Sequence, residues 1–251
     1  MFMSLRMYRF PVLAALLMAA GQPLRAQPPG MYVYEVAPLF YRDNGVPRGV
    51  LYEMMLDLRS RTGHAGPVIP VPLRRELVLL NGTSGSVGTL GRSPLLENQY
   101  RWLCKLWEDR IMLVASEATD VGIATVEEAR TLRLGVVMGS PSEELARALG
   151  FTRLEPAVSS AANAGKLARG RIDVWMVAQS IAEHEQRQLG PAVLRLRLGV
   201  VLQPVNVYLA GGRGMDGASA AKWEKACAAM QKDGTQARIL RKYGYRGLAS
   251  E

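Results

Sequence analysis

Cysteine and histidine are scarce, with two of each in 251 residues. Two cysteines cannot build a cysteine-rich zinc cluster or a disulfide-dense scaffold. His64 follows the end of a helical pattern and His184 sits inside the charged run AEHEQRQ, so neither has the spacing of a metal site or of a base beside a nucleophile. No G-x-S-x-G elbow and no G-x-x-x-x-G-K-[ST] phosphate loop occurs. Glycine (25) and proline (14) follow no three-residue period, which excludes collagen. Beyond residue 26 no apolar run is long enough to span a bilayer. Only six of the 31 basic residues are lysine, and the basic residues alternate with acids along the chain. That spread lacks the concentrated stripe a nucleic-acid partner needs.

What remains is ordinary globular composition, 49% hydrophobic and 21% charged. Residues 1–26 carry Arg6 and Arg9, an apolar run over 10–20, and small residues leading to Ala26. This is the pattern of a signal peptide cut after Ala26, and it predicts a periplasmic protein; a buried N-terminal helix is the other reading. Removing these residues leaves 28 basic against 22 acidic residues, a balance of +6. Such a field favours anionic ligands or an acidic partner surface. In an oxidising compartment Cys104 and Cys227 would either bridge, given Cα atoms within about 7 Å, or stay a free buried pair.

Along the mature chain, MYVYEVA (31–37) reads as a strand and PLFYRDNGVPRG as a turn-rich loop through Asn44-Gly45. Apolar residues at helical spacing from 50 to 62 predict a helix capped by Gly63. VIPVPL reads as a strand, RRELVLLNG as a short helix, and 84–103 as the least regular part. From 122 to 190, helix and strand alternate at close spacing, which predicts parallel sheet with helices on both faces. Ser140 and Pro141 open one of these helices. Two extended apolar stretches, near 104–116 and 193–210, bracket this middle unit. The arrangement predicts a middle lobe inserted into an outer one: 27–108 plus 205–251 as lobe 1, and 109–204 as lobe 2 with the hinge strands. A cleft then lies at the carboxyl ends of both sheets.

The ordered set of segments resembles the bacterial extracellular solute-binding protein family 3, the periplasmic proteins serving polar amino acid ABC transporters. The resemblance covers nearly all of 31–246. YEVAPLFYRDNGVPRGVLYEMMLDLRSRTG resembles the family's opening strand and aromatic loop. Arg92-Ser93-Pro94 with Glu97, Tyr100 and Trp102 resembles its Arg-Thr-Pro-Glu-Arg segment. LRLGVVMGSPSEELARALG resembles the start of its second lobe. KLARGRIDVWMVA and the closing KYGY complete the set. The resemblance implies an α/β, two-lobed type II periplasmic-binding fold with two hinge crossings. It further implies no cofactor and no chemistry of its own, a monomer that takes a small polar solute to an ABC permease in the inner membrane. The arginine that holds a ligand carboxylate in relatives falls on Leu96, and the aspartate that holds the ammonium falls on Ala178. Neither can form a salt bridge, so a standard α-amino acid is not the expected ligand.

Seven residues are the expected ligand contacts. Glu35 ends the first strand and would meet a cation or hydroxyl, or be a rim carboxylate. Phe40 and Tyr41 would form an aromatic wall, or Phe40 would cap the core. Arg92 would anchor an anion, or bond neighbouring carbonyls. Gly139 and Ser140 offer N–H groups at a strand-to-helix junction, with Ser140 also suited to capping its own helix. Trp175 is core or cleft. Asp173 is expected to be structural, linked to Arg171 or a helix end. The alternatives are a secreted sensor or accessory protein without a permease, a degenerate member that makes a protein contact, and a small-acid dehydratase-like enzyme.

Overall fold

The computed structural model describes residues 29–245, so the expected leader over 1–26 lies outside the described residues. The first strand, β1 (Met31–Tyr34), is followed by a small hairpin of β2 (Tyr41–Asp43) and β3 (Val46–Arg48). Asn44 and Gly45 both take positive φ at its turn, which suits the twist of a two-residue hairpin. The expected loop therefore contains paired strands. Next come α1 (Val50–Thr62), β4 (Val68–Val71), α2 (Leu73–Gly82), β5 (Val87–Arg92) and β6 (Tyr100–Ser116). Helix α1 keeps its predicted bounds, and Gly63 closes it in the left-handed region with its N–H on the Arg59 and Ser60 carbonyls. The middle of the chain supplies α3 (Val126–Ala129), β7 (Leu134–Val137), α4 (Pro141–Ala148), β8 (Leu154–Ala157), α5 (Ser160–Ala168), β9 (Val174–Ala178) and α6 (Gln179–Leu189). The chain returns through β10 (Leu196–Gly212) and ends in α7 (Gly217–Lys232) and α8 (Thr235–Lys242).

The main sheet has the order β4-β1-β5-β10-β6-β9-β7-β8. Its outer thirds, β4-β1-β5 and β9-β7-β8, are each parallel. Between them the 17-residue strands β6 and β10 run antiparallel and cross from one lobe to the other. Hydrogen bonding is thus continuous through the hinge, while the cores are separate. One lobe packs β1, β5 and the near halves of β6 and β10 against α1, α7 and α8, with a satellite core under α2. The other packs β7, β9 and the far halves on α3 and α4 on one side, and on α5 and α6 on the other. Val205 on β10 lies against a core of each lobe.

Strand register fixes where a ligand could enter. The last residue of β5, Arg92, pairs with Asn206, which pairs with Glu108 of β6. The last residue of β9, Ala178, pairs with Ile111 of the same β6. Because β9 is antiparallel to β6, the carboxyl ends of the two parallel sets point at each other from opposite sides. The three-residue step from 108 to 111 offsets the two ends by ~10 Å along the hinge strand.

Within lobe 1, Cys104 on β6 and Cys227 on α7 form a disulfide with Cα atoms 6.3 Å apart. Of the two readings open in the sequence, the bridge is the one realised. Asp173 pairs with Arg133 at 2.6 Å, and also accepts its backbone N–H, rather than pairing with Arg171. Arg133 directly precedes β7 and Asp173 directly precedes β9, so the ion pair ties two parallel strands at their starts. The Asp173 carboxyl is held below its ordinary range by that guanidinium.

Candidate functional site

The site is the gap between opposed strand ends. Glu35 follows β1, Arg92 ends β5, Gly139 and Ser140 follow β7, and Ala178 ends β9, so the topology delivers these positions to its edges. The expected site residues separate into those at the gap and those in the cores. Phe40 is 2% exposed and packs edge-on to Tyr52 in the lobe 1 core, so it is not a cleft wall. Trp175 is fully buried under α5 and α6. Both side chains are withdrawn because burying a ring against apolar neighbours outweighs leaving it on a rim.

Of the polar candidates, Arg92 is already engaged. It donates to both oxygens of Glu97 at 2.9 and 2.5 Å, and its guanidinium lies 5.5 Å from the Trp102 ring centre and 5.1 Å from that of Tyr208. The pair holds the Glu97 carboxyl low. Leu96, where a carboxylate-binding arginine was sought, packs on the satellite core. Across the gap the Gly139 N–H donates to Glu143 at 2.6 Å, and Ser140 Oγ accepts the Glu143 N–H at 3.3 Å. This reciprocal cap places the chain's own carboxylate where an external anion was expected. Arg147 and the Gly139 N–H together depress the Glu143 carboxyl. Each lobe thus fills its anion-binding groups from within.

The hinge side carries residues that the sequence reading did not single out. Ala178 has no side chain with which to cap α6. Asp109 of β6 does so instead, accepting Ser180 Oγ at 2.5 Å and its N–H at 3.4 Å. Burial raises the Asp109 carboxyl, and the Ser180 bonds oppose that rise. The next residue, Arg110, donates from Nε to Gln179 Oε1 at 2.5 Å. Arg110 is exposed and has no carboxylate partner among the described residues. The signal that could have found it is its place in RIMLVAS, one residue before the hinge strand reaches the end of β9. Glu35 likewise is exposed and without an ion pair among the described residues.

Among the described residues, Tyr41 and Tyr245 make contacts that cross between lobes beside the hinge strands. The Tyr41 ring lies 5.1 Å from that of His184 on α6. Tyr245 Oη accepts from Arg187 at 3.1 Å and donates to the Ser180 carbonyl at 3.2 Å, while its ring lies tilted, 5.0 Å from that of Trp107. Burial pushes the Tyr245 hydroxyl up to about 12, so it stays a donor at all physiological pH. Removing only that hydroxyl, in Tyr245→Phe, should preserve the Trp107 ring contact and free two polar groups on α6. The expected loss is about 1–2 kcal/mol of stability with a larger radius of gyration in solution. Urea melts and small-angle scattering measure both, and unchanged dimensions would show that the contact does not restrain the lobes. Among the described residues no group of three or more His, Cys, Asp or Glu side chains could hold a metal ion.

No family model and no curated protein sequence matches the chain. Solved structures do. A histidine kinase sensor domain with similarity to periplasmic binding proteins superposes with a TM-score of 0.73 at 17% identity, over 87% of this chain and 96% of the other. An ancestral arginine-binding protein bound to arginine gives 0.69 at 17% identity, over 87% and 99%. The arginine-, lysine-, histidine-binding protein ArtJ from Geobacillus stearothermophilus gives 0.71 at 12% identity, over 86% and 95%. At these identities the likeness establishes the fold, the two-lobed type II periplasmic-binding architecture.

Proposed function

We propose that the chain binds a small solute in the hinge gap, outside the cytoplasm, and presents the closed form to an ABC permease. The observation that carries this reading is the convergence of Arg92 and Ala178, the ends of two opposed parallel sheets, on positions three residues apart along one hinge strand. A ligand touching both edges has more contacts when the lobes approach, so it shifts the population toward closure. Leu96 and Ala178 support the further reading that the solute is not a standard α-amino acid. Thermal unfolding against a library of amino acids, opines, organic acids and oligoamines tests this. The twenty standard amino acids should leave Tm unchanged, and at least one other compound should raise it while reducing the radius of gyration. A shift with a standard amino acid would refute the second statement. A complete absence of shifts would refute the first.

The kinase sensor domain among the similar structures favours a ligand sensor without a permease as the second reading. Uptake separates the two: deleting a transport component abolishes uptake of the ligand, and deleting a sensor leaves the transport step intact.

A further inference from the structure

The edge of lobe 2 farthest from the gap carries arginines that the chain leaves uncompensated. Strands β7, β8 and β9 start level with one another, since Leu134 pairs with both Leu154 and Val174. Those three residues turn into the core beneath α3 and α4. Strand alternation aims the residues before them, Arg133, Arg153 and Asp173, toward the other face, where α5 packs. Helix α5 ends at this same edge, and the Gly170 carbonyl just past it accepts Arg133 Nη2 at 2.9 Å. Arg169 and Arg171 flank that glycine. Four arginines thus meet one carboxylate, Asp173, which Arg133 occupies at 2.6 Å. Arg133 and, through space, Arg153 both lower the Asp173 carboxyl, so the Arg153 charge belongs to the same patch. Beside it Lys166 and Glu155 cancel, 4.0 Å apart. Arg153, Arg169 and Arg171 are exposed and have no ion pair among the described residues. The gap lies at the opposite ends of the same strands, ~13 Å away along β7.

We propose that this edge of lobe 2 is a docking surface for a bilayer that contains anionic phospholipids. A specific protein partner needs an apolar or aromatic centre to its interface. Here no large hydrophobic side chain is exposed over 130–134, 150–155 or 168–174. An anionic bilayer needs only positive charge within reach of its headgroups. Arg153, Arg169 and Arg171 supply that charge, and their planar forks match phosphate oxygens. The contact is reversible and salt-sensitive, so it concentrates the chain at the membrane and leaves the gap on the far side open to solute. The inference stands apart from the identity of that solute.

The test is co-sedimentation of the mature chain with vesicles at low ionic strength. One set is pure phosphatidylcholine, and the other adds an equal share of phosphatidylglycerol. The expected result is binding to the mixed vesicles alone, lost as salt is raised. A variant with Arg153→Gln, Arg169→Gln and Arg171→Gln should bind them more weakly by roughly fivefold per arginine, on the order of a hundredfold for the three. A matched variant with Arg74→Gln, Arg75→Gln and Arg213→Gln removes the same charge from lobe 1 and should bind as the parent does. All six side chains are exposed, so both variants keep the fold. Equal binding to the two kinds of vesicle would overturn the proposal. Equal losses in the two variants would also overturn it, by tracing the binding to net charge rather than to this edge. Polyglutamate bound as tightly as the mixed vesicles would replace the bilayer with an acidic protein segment.

Discussion

Alanine at both Cys104 and Cys227 is expected to lower the midpoint of thermal unfolding on the order of 10 °C. The bridge joins positions 123 apart in sequence, and the loop it closes contains all of the inserted lobe. Cross-linking a loop of that size removes chain entropy from the unfolded state equivalent to about 5 kcal/mol, toward the upper end of what disulfides deliver. Cys227 is buried in the lobe 1 core and Cys104 packs against it, so alanine, rather than serine, avoids burying a lone hydroxyl. Arg110 lies six residues beyond Cys104 on β6 and the facing strand ends lie on other elements, so ligand affinity should survive at temperatures where the variant remains folded. Circular dichroism melts of the parent with and without reductant, and of the double variant, measure the effect. Coincident curves would mean that lobe 2 already confines the unfolded chain without the bridge.

Much of this architecture was legible because its signals are local. Helix α1 has its apolar spacing and its glycine cap, and α4 has Ser140 and Pro141. The alternation that defines the inserted lobe needs nothing beyond periodicity. The two hinge strands were visible as long extended stretches, although each reaches further than its apolar run: β6 begins at Tyr100 and β10 ends at Gly212. The site was less legible. Phe40 and Trp175 could stand in a core or a cleft until their neighbours were known, since an aromatic ring suits both. Arg92 looked like an anchor because sequence does not show that Glu97 folds back onto it. Arg110 went unnoticed for the converse reason: its significance comes from register, which places it level with the gap, and register is a property of pairs of strands. The clearest omission was β5, which lay hidden in the small-residue stretch 84–103. A strand that contains Gly88 and Gly91 has little intrinsic preference for extension. Gly88 is there because of a neighbour: a Cβ at that position would stand 2.6 Å from Glu76 Oε1 on α2.

That neighbour predicts a strong dependence of stability on pH. Glu76 is fully buried; Oε1 accepts the Thr89 N–H at 2.6 Å, and Oε2 has no partner among the described residues. Burial pushes its carboxyl up to about 8, with the Thr89 bonds opposing the rise; burial, and after it the Glu76 charge, raises the Tyr34 and Tyr100 hydroxyls. The folded chain therefore holds a proton here between the ordinary 4.5 and about 8, where the unfolded chain has released it. Stability from this group is fully present below about 4.5, declines as pH rises, and is lost above about 8; the gap corresponds to at most about 5 kcal/mol. Glu76→Gln keeps the acceptor for Thr89 and removes the ionisation. At pH 8.5 the variant should be more stable than the parent by about 3 kcal/mol, and at pH 5 the two should nearly coincide. Urea unfolding across that range measures the difference, and parallel pH curves would show that the carboxyl titrates as freely as in water. The same titration bears on the gap, because Thr89 Oγ1 accepts the Tyr34 N–H at 3.3 Å, one residue before Glu35. A charge arriving at Glu76 thus disturbs the strand end that carries Glu35. Affinity for the solute held in the gap should weaken over the same pH interval in the parent, and hold in Glu76→Gln.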